Sequence, residues 1–81
     1  MNQAEVIARL QNIFNTVFLE PVALTPALSA NEVAGWDSAT HVTLVLLVEQ
    51  TFGVRFRLGE VEATRNIGEF AELILKRMQE S

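Results

Sequence analysis

The chemistry open to this chain gathers around Ser38. It follows Ala34-Gly35-Trp36-Asp37 and opens an apolar, helix-forming run. A serine at a helix start lies beside free backbone N–H groups and the positive end of the helix dipole, and both favour an anion. The position suits a hydroxyl that carries a phosphate ester. Asp37 and Ser38 also suit plain N-terminal capping, and the two roles are compatible. Asp37, Ser38 and His41 place a carboxylate, a hydroxyl and an imidazole within about one helical turn. That set is disfavoured as a nucleophilic triad, because the chain has no Gly-x-Ser-x-Gly elbow and no recognisable oxyanion hole. His41, the single histidine, reads as an exposed helix residue near Ser38 and near partners. One histidine with scattered carboxylates is a poor basis for a metal site. Trp36, the single tryptophan, reads as packing its loop onto the bundle; contact with a group held at Ser38 is the sharper alternative. Arg55, Arg57 and Arg65 read as a solvated loop, with an acidic partner as the minority reading.

The elements that must position these residues follow from periodicity. Val6, Leu10, Ile13, Phe14 and Val17 recur at three- and four-residue spacing, which predicts a first helix over 2–18 with one apolar face. Asn2 and Glu5 form its capping box. Pro21 and Pro26 stop helical propagation, and residues 19–36 make a long connection of the kind that is often functional. A second helix starts at Asp37 or Ser38 and runs to Thr51 or Phe52, with Gly53 as its cap. Val42, Leu44, Val45, Leu46, Leu47 and Val48 leave it little polar face, which predicts that other elements surround it. Residues 54–58 read as extended, and 59–63 as one short helical turn. Asn66 caps a last helix, with Glu69 completing a second capping box. Ile67, Phe70, Leu73, Ile74 and the stem of Arg77 face inward. The expected fold is all-α: a four-helix bundle with three longer helices and one short one, in a single domain over 1–81.

Composition bounds the function. There are 81 residues, 49% of them hydrophobic, so the chain buries a core rather than remaining disordered. No cysteine is present, which excludes disulfides and thiolate metal sites and fits a reducing, cytoplasmic setting. The longest aliphatic run is too short to span a bilayer. The net charge of −4 lies wholly between Leu10 and Val54, where Glu20, Glu32, Asp37 and Glu49 meet no Lys or Arg. Nucleic-acid binding is disfavoured without a basic patch. The acidity serves solubility or steers the chain toward basic partners.

Asp37-Ser38-Ala39, then Val42, Leu44 and Val45, then Glu49, Phe52-Gly53-Val54 and Asn66-Ile67-Gly68-Glu69 resemble the acyl carrier protein family over nearly the whole chain. In that family an Asp-Ser-Leu motif opens the second helix, and its serine receives 4'-phosphopantetheine from coenzyme A. The resemblance implies that Ser38 is the attachment site, and that Asp37 helps to hold magnesium during transfer by a separate phosphopantetheinyl transferase. It also implies a carrier that is not itself an enzyme, holding acyl groups as thioesters for fatty-acid, polyketide-like or other acyl-transfer enzymes with basic docking surfaces. The implied state is a monomer. Ala39, Val42, Thr43 and Glu49 fall where the family's partners dock.

Two departures qualify this. Ala39 stands where the family usually has Leu, and Thr40, Thr43, Gln50 and Thr51 replace its usual acidic residues, leaving only Glu49. The pattern fits a specialised carrier for a dedicated pathway. Peptidyl or aminoacyl carriers also resemble the chain, but they usually lack Asp before the Ser, so an acyl cargo ranks first. The remaining alternative is an unmodified helical interaction domain that docks through its second helix.

Overall fold

Asn2 turns the chain into its first helix. Its side chain accepts from the Glu5 N–H at 2.9 Å, while the Glu5 carboxylate accepts from the Asn2 N–H at 3.3 Å. The computed structural model, which describes residues 1–80, places α1 at Gln3–Val17. Val6, Leu10, Ile13 and Phe14 are buried along one side, as their spacing predicts.

The long connection is held by side chains rather than by a regular element. Gln11 on α1 donates to the Val22 carbonyl at 2.6 Å and accepts from the Leu24 N–H at 3.1 Å. A short 3₁₀ turn, Ala30–Glu32, interrupts this connection. Gly35 then takes a positive φ of 85°, a conformation that side-chain-bearing residues avoid, and delivers Trp36 and Asp37 to the second helix.

That helix, α2, spans Ser38–Phe52 and ends on Gly53 in the left-handed conformation, as expected. Only Leu44, Val48 and Phe52 are buried. Other elements therefore do not surround it: Val42 and Leu46 remain 58% and 53% exposed. The reason is that α1 packs against one side of α2, and in so small a domain nothing is left to cover the far side.

Residues 53–66 carry no strand and no α-helix. The short helical turn expected over 59–63 is instead a series of turns. Their bonds alternate between Arg57–Glu60, Gly59–Ala63 and Val61–Thr64, so neither helical repeat is established. Gly59 enters the series at a φ of 86°, outside helical geometry. Among the described residues the bundle is thus three α-helices plus one 3₁₀ turn, and that turn lies in the first connection.

The last helix, α3, spans Ile67–Glu80 and packs on α1. Asn66 accepts from the Glu69 N–H at 2.8 Å, but the Glu69 carboxylate reaches one residue further back, to the Arg65 N–H at 2.8 Å. The expected capping box is therefore half made. Two N–H groups of the first turn, those of Ile67 and Gly68, donate to the carbonyls of Leu28 and Pro26, both at 2.9 Å. The first connection thereby satisfies donors that a helix start leaves open. Ile67, Phe70 and Ile74 are buried as expected, Leu73 only partly, and Gly68 and Ala71 join them.

Candidate functional site

Ser38 is the first residue of α2, and it is exposed. Asp37 is the N-cap: its Oδ1 accepts from the Thr40 N–H at 2.9 Å. Thr40 returns the bond, its hydroxyl accepting from the Asp37 N–H at 2.8 Å and donating to the Gly35 carbonyl at 2.8 Å. The Thr40 backbone N–H holds the Asp37 carboxyl below the usual carboxylate range. A reciprocal box thus fixes the backbone on both sides of Ser38 and leaves the Ser38 side chain facing water. The role of Thr40 was not read from the sequence. The Asp-x-x-Thr spacing carries it, with Thr in the place usually held by Glu or Gln.

Among the described residues, no group of three or more His, Asp or Glu side chains is arranged to hold a metal ion. A phosphate ester fits there: Ser38 is exposed at the first position of α2, where a helix start favours an anion, with the Thr40 N–H of the same turn taken by Asp37.

Beyond the serine lies a chain of three side chains. The Trp36 indole N–H donates to Nδ1 of His41 at 3.1 Å. Nε2 of His41 lies 2.6 Å from a carboxylate oxygen of Glu62. Since Nδ1 accepts from the indole, the proton of the neutral ring is on Nε2, which donates to Glu62. The Trp36 ring meets Phe14 edge-on at 5.5 Å and Phe18 at 5.8 Å, and it stacks on His41 at 6.2 Å. Trp36 therefore packs its loop onto α1, as expected. His41 departs from expectation: its side chain is only 22% exposed, because it bridges the loop before α2 to the turns after it. No sequence spacing could have paired it with Glu62, 21 residues away.

These three residues form one wall of a half-open cavity of about 460 Å³. Leu28, Val61, Ile67 and Phe70 give it an apolar floor, and Asn31 and Asn66 add amides at the rim. A second cleft, on the other side of Asp37, brings Glu20 beside Asp37 and Thr40.

The residues predicted to meet partners divide. Ala39, Val42 and Thr43 are exposed on α2. Glu49 is half-buried, and its carboxylate accepts from the Phe56 N–H at 2.9 Å, so it caps the segment after α2. Arg65 pairs with Glu69, and the backbone N–H and carbonyl of Arg57 are both bonded to Glu60. Leu46, one turn beyond Val42, is an exposed apolar residue that the sequence reading assigned to the interior.

Neither a family model nor a curated protein sequence matches the chain. Among solved structures, the chain is similar to the holo acyl carrier protein of Geobacter metallireducens, determined in solution by NMR. The two share 33% identity over 93% of this chain and 87% of the other, with a TM-score of 0.82.

Proposed function

The chain belongs to the acyl carrier protein family, and on that premise we propose that it is a carrier whose Ser38 bears a 4'-phosphopantetheine arm. The observation that supports this most directly is the placement of Ser38: exposed, first in α2, and framed by the Asp37–Thr40 box. In the proposed modification Ser38 Oγ forms a bond to the phosphorus of coenzyme A next to pantetheine. The pyrophosphate link breaks, adenosine 3',5'-bisphosphate leaves, and the hydroxyl proton passes to a base of the transferase. Magnesium belongs to that bimolecular complex, with Asp37 as the carboxylate nearest in sequence to the reacting oxygen. The arm supplies a thiol that holds acyl groups as thioesters, and tethering raises their effective concentration at successive enzymes. The carrier contributes position, not bond-making.

For docking we assign Ala39, Val42 and Leu46, which recur at helical spacing as one exposed apolar stripe. Partners would combine an apolar patch with basic residues. The departures from the family pattern at Ala39 and Thr43 fit partners of a dedicated pathway rather than generic fatty-acid-synthesis enzymes. The same stripe would also serve an unmodified interaction domain, and modification separates the two readings. Incubation with coenzyme A, magnesium and a broad-specificity transferase should raise the intact mass by one phosphopantetheinyl group, and Ser38→Ala should abolish the increase. An unchanged mass, beside a control carrier that is modified, would sink the carrier reading.

A further inference from the structure

The cavity beside Ser38 has a lining that selects among cargoes. Two of its wall residues flank the serine in sequence: Trp36, and His41 three residues on. Three helical residues advance only about 4.5 Å along the axis and return to the neighbouring face. A flexible arm on Ser38 can therefore bend over this mouth. The size falls within the range of small-molecule sites, roughly 300–1,000 Å³. The floor is apolar but shallow, because the core beneath it is filled. Phe14, Leu10, Leu44, Val48 and Ile74 are all essentially inaccessible. A long saturated chain would have to displace them.

The polar wall sets the chemistry. Both ring nitrogens of His41 are already engaged, by Trp36 and by Glu62. Glu62 remains 59% exposed at the cavity, and its own backbone N–H together with His41 holds its carboxyl below the usual range. An ionised carboxylate accepts hydrogen bonds and donates none. Arg65, the one Lys or Arg among the lining residues, is turned outward and bonded to Glu69 through Nε and its terminal nitrogen. An anionic cargo would thus meet Glu62 with no free cation to offset it.

Resting on the carrier reading above, we infer that this cavity receives a short acyl group bearing a hydrogen-bond donor, a hydroxyl or an ammonium, and that Glu62 is the residue that recognises it. Saturated and carboxylate-bearing acyl groups of the same length are left in solvent. The single indole N–H, at Trp36, sits at the other end of the His41–Glu62 chain, so it reports engagement of Glu62.

The test loads Ser38 from four coenzyme A thioesters: 3-hydroxybutyryl, β-alanyl, butyryl and malonyl. Intact mass establishes loading, and the ¹H–¹⁵N resonances of the Trp36 indole and the Glu62 and Asn66 amides are compared with the unacylated arm-bearing form. The expected result is a clear displacement of these signals for one or both donor-bearing cargoes and at most half that for butyryl and malonyl. Glu62→Ala should load normally and lose the displacement. A butyryl or malonyl effect equal to the donor-bearing ones overturns the inference, as do loaded samples whose signals do not move. A failure to load at all instead removes the carrier reading on which the inference stands, and the inference with it.

Discussion

At the scale of single residues, His41 shows how a side chain that invites a catalytic reading is used for structure. It lies one turn from Ser38, yet its ring is consumed by bonds to Trp36 and Glu62. Removing it leaves the half-buried indole N–H without its acceptor, and an unsatisfied buried donor costs about 1–3 kcal/mol. Denaturant unfolding of His41→Ala should show a loss at the lower end of that range, while His41→Gln, which supplies both an acceptor and a donor, should recover part of it. Equal stability of all three proteins would mean that the chain of bonds is not maintained in solution. Asp37 gives a second residue-scale expectation, with its sign set by Thr40. The folded-state carboxyl is held low. Its contribution is therefore fully present above the ordinary carboxylate value and is lost as pH falls through the lowered one. Asn is an equally good cap but does not titrate, so Asp37→Asn should flatten the acid limb of the stability profile without changing the fold. An unchanged acid limb would refute the assignment.

At the scale of elements, α2 is the informative case, because it faces in two directions. Leu44, Val48 and Phe52 close the core, while Ala39, Val42 and Leu46 lie in water. The exposed stripe is narrow. Ala39 offers less apolar area than leucine would, and each additional buried methylene is worth about 0.8 kcal/mol. The Thr43 hydroxyl bonds back to the Ala39 carbonyl at 3.2 Å, so replacing it removes nothing that the fold requires. Ala39→Leu with Thr43→Glu should therefore leave stability nearly unchanged and raise acyl loading and elongation by generic fatty-acid-synthesis enzymes. The readout is the rate for wild type and double mutant, and a wild type that already matches a housekeeping carrier would end the specialised reading. The same helix marks what was legible in the sequence. Its start, its end at Gly53 and the side-chain caps Asn2 of α1 and Asn66 of α3 depend on residues close together in the chain. Local spacing therefore reveals them. Which of the six apolar positions between Val42 and Val48 face water depends on where α1 lies, and no local pattern carries that. The segment 59–63 misled for a related reason: its residues suit a helical turn, but it is held by remote side chains. Glu60 is paired with Arg77 of α3, and Glu62 with His41 of α2.

At the scale of the whole molecule, the charge asymmetry seen along the chain becomes an arrangement in space. Glu20 shares one cleft with Asp37 and Thr40, and a neighbouring one with Glu32 and Val33. Three carboxylates without a Lys or Arg among them thus border the end of the molecule where Ser38 is exposed. Of the basic residues, Arg9 is on α1, Arg55, Arg57 and Arg65 are in the segment between α2 and α3, and Lys76 and Arg77 are on α3; Arg65 lines the cavity beside Ser38. Several of these are already matched. Arg77 is only 11% exposed and is bonded to Glu60 and Glu80, and Arg65 to Glu69. The field that a partner meets on approach to Ser38 is therefore negative, and under the carrier reading it would draw in a basic transferase or loading enzyme. Such fields act mainly on the association rate and are screened over about 8–10 Å at moderate salt. Glu20 and Glu32 belong to the connection, outside both the core and the α2 stripe. A Glu20→Gln, Glu32→Gln double variant should accordingly keep the wild-type unfolding temperature, while its modification by a basic transferase at sub-saturating carrier slows several-fold at low ionic strength. Added salt should slow the wild type more than the variant, so that the two rates converge. The assay is the initial rate of arm transfer across a salt series. Parallel lines with no convergence would show that the acidity of this end serves solubility and not encounter.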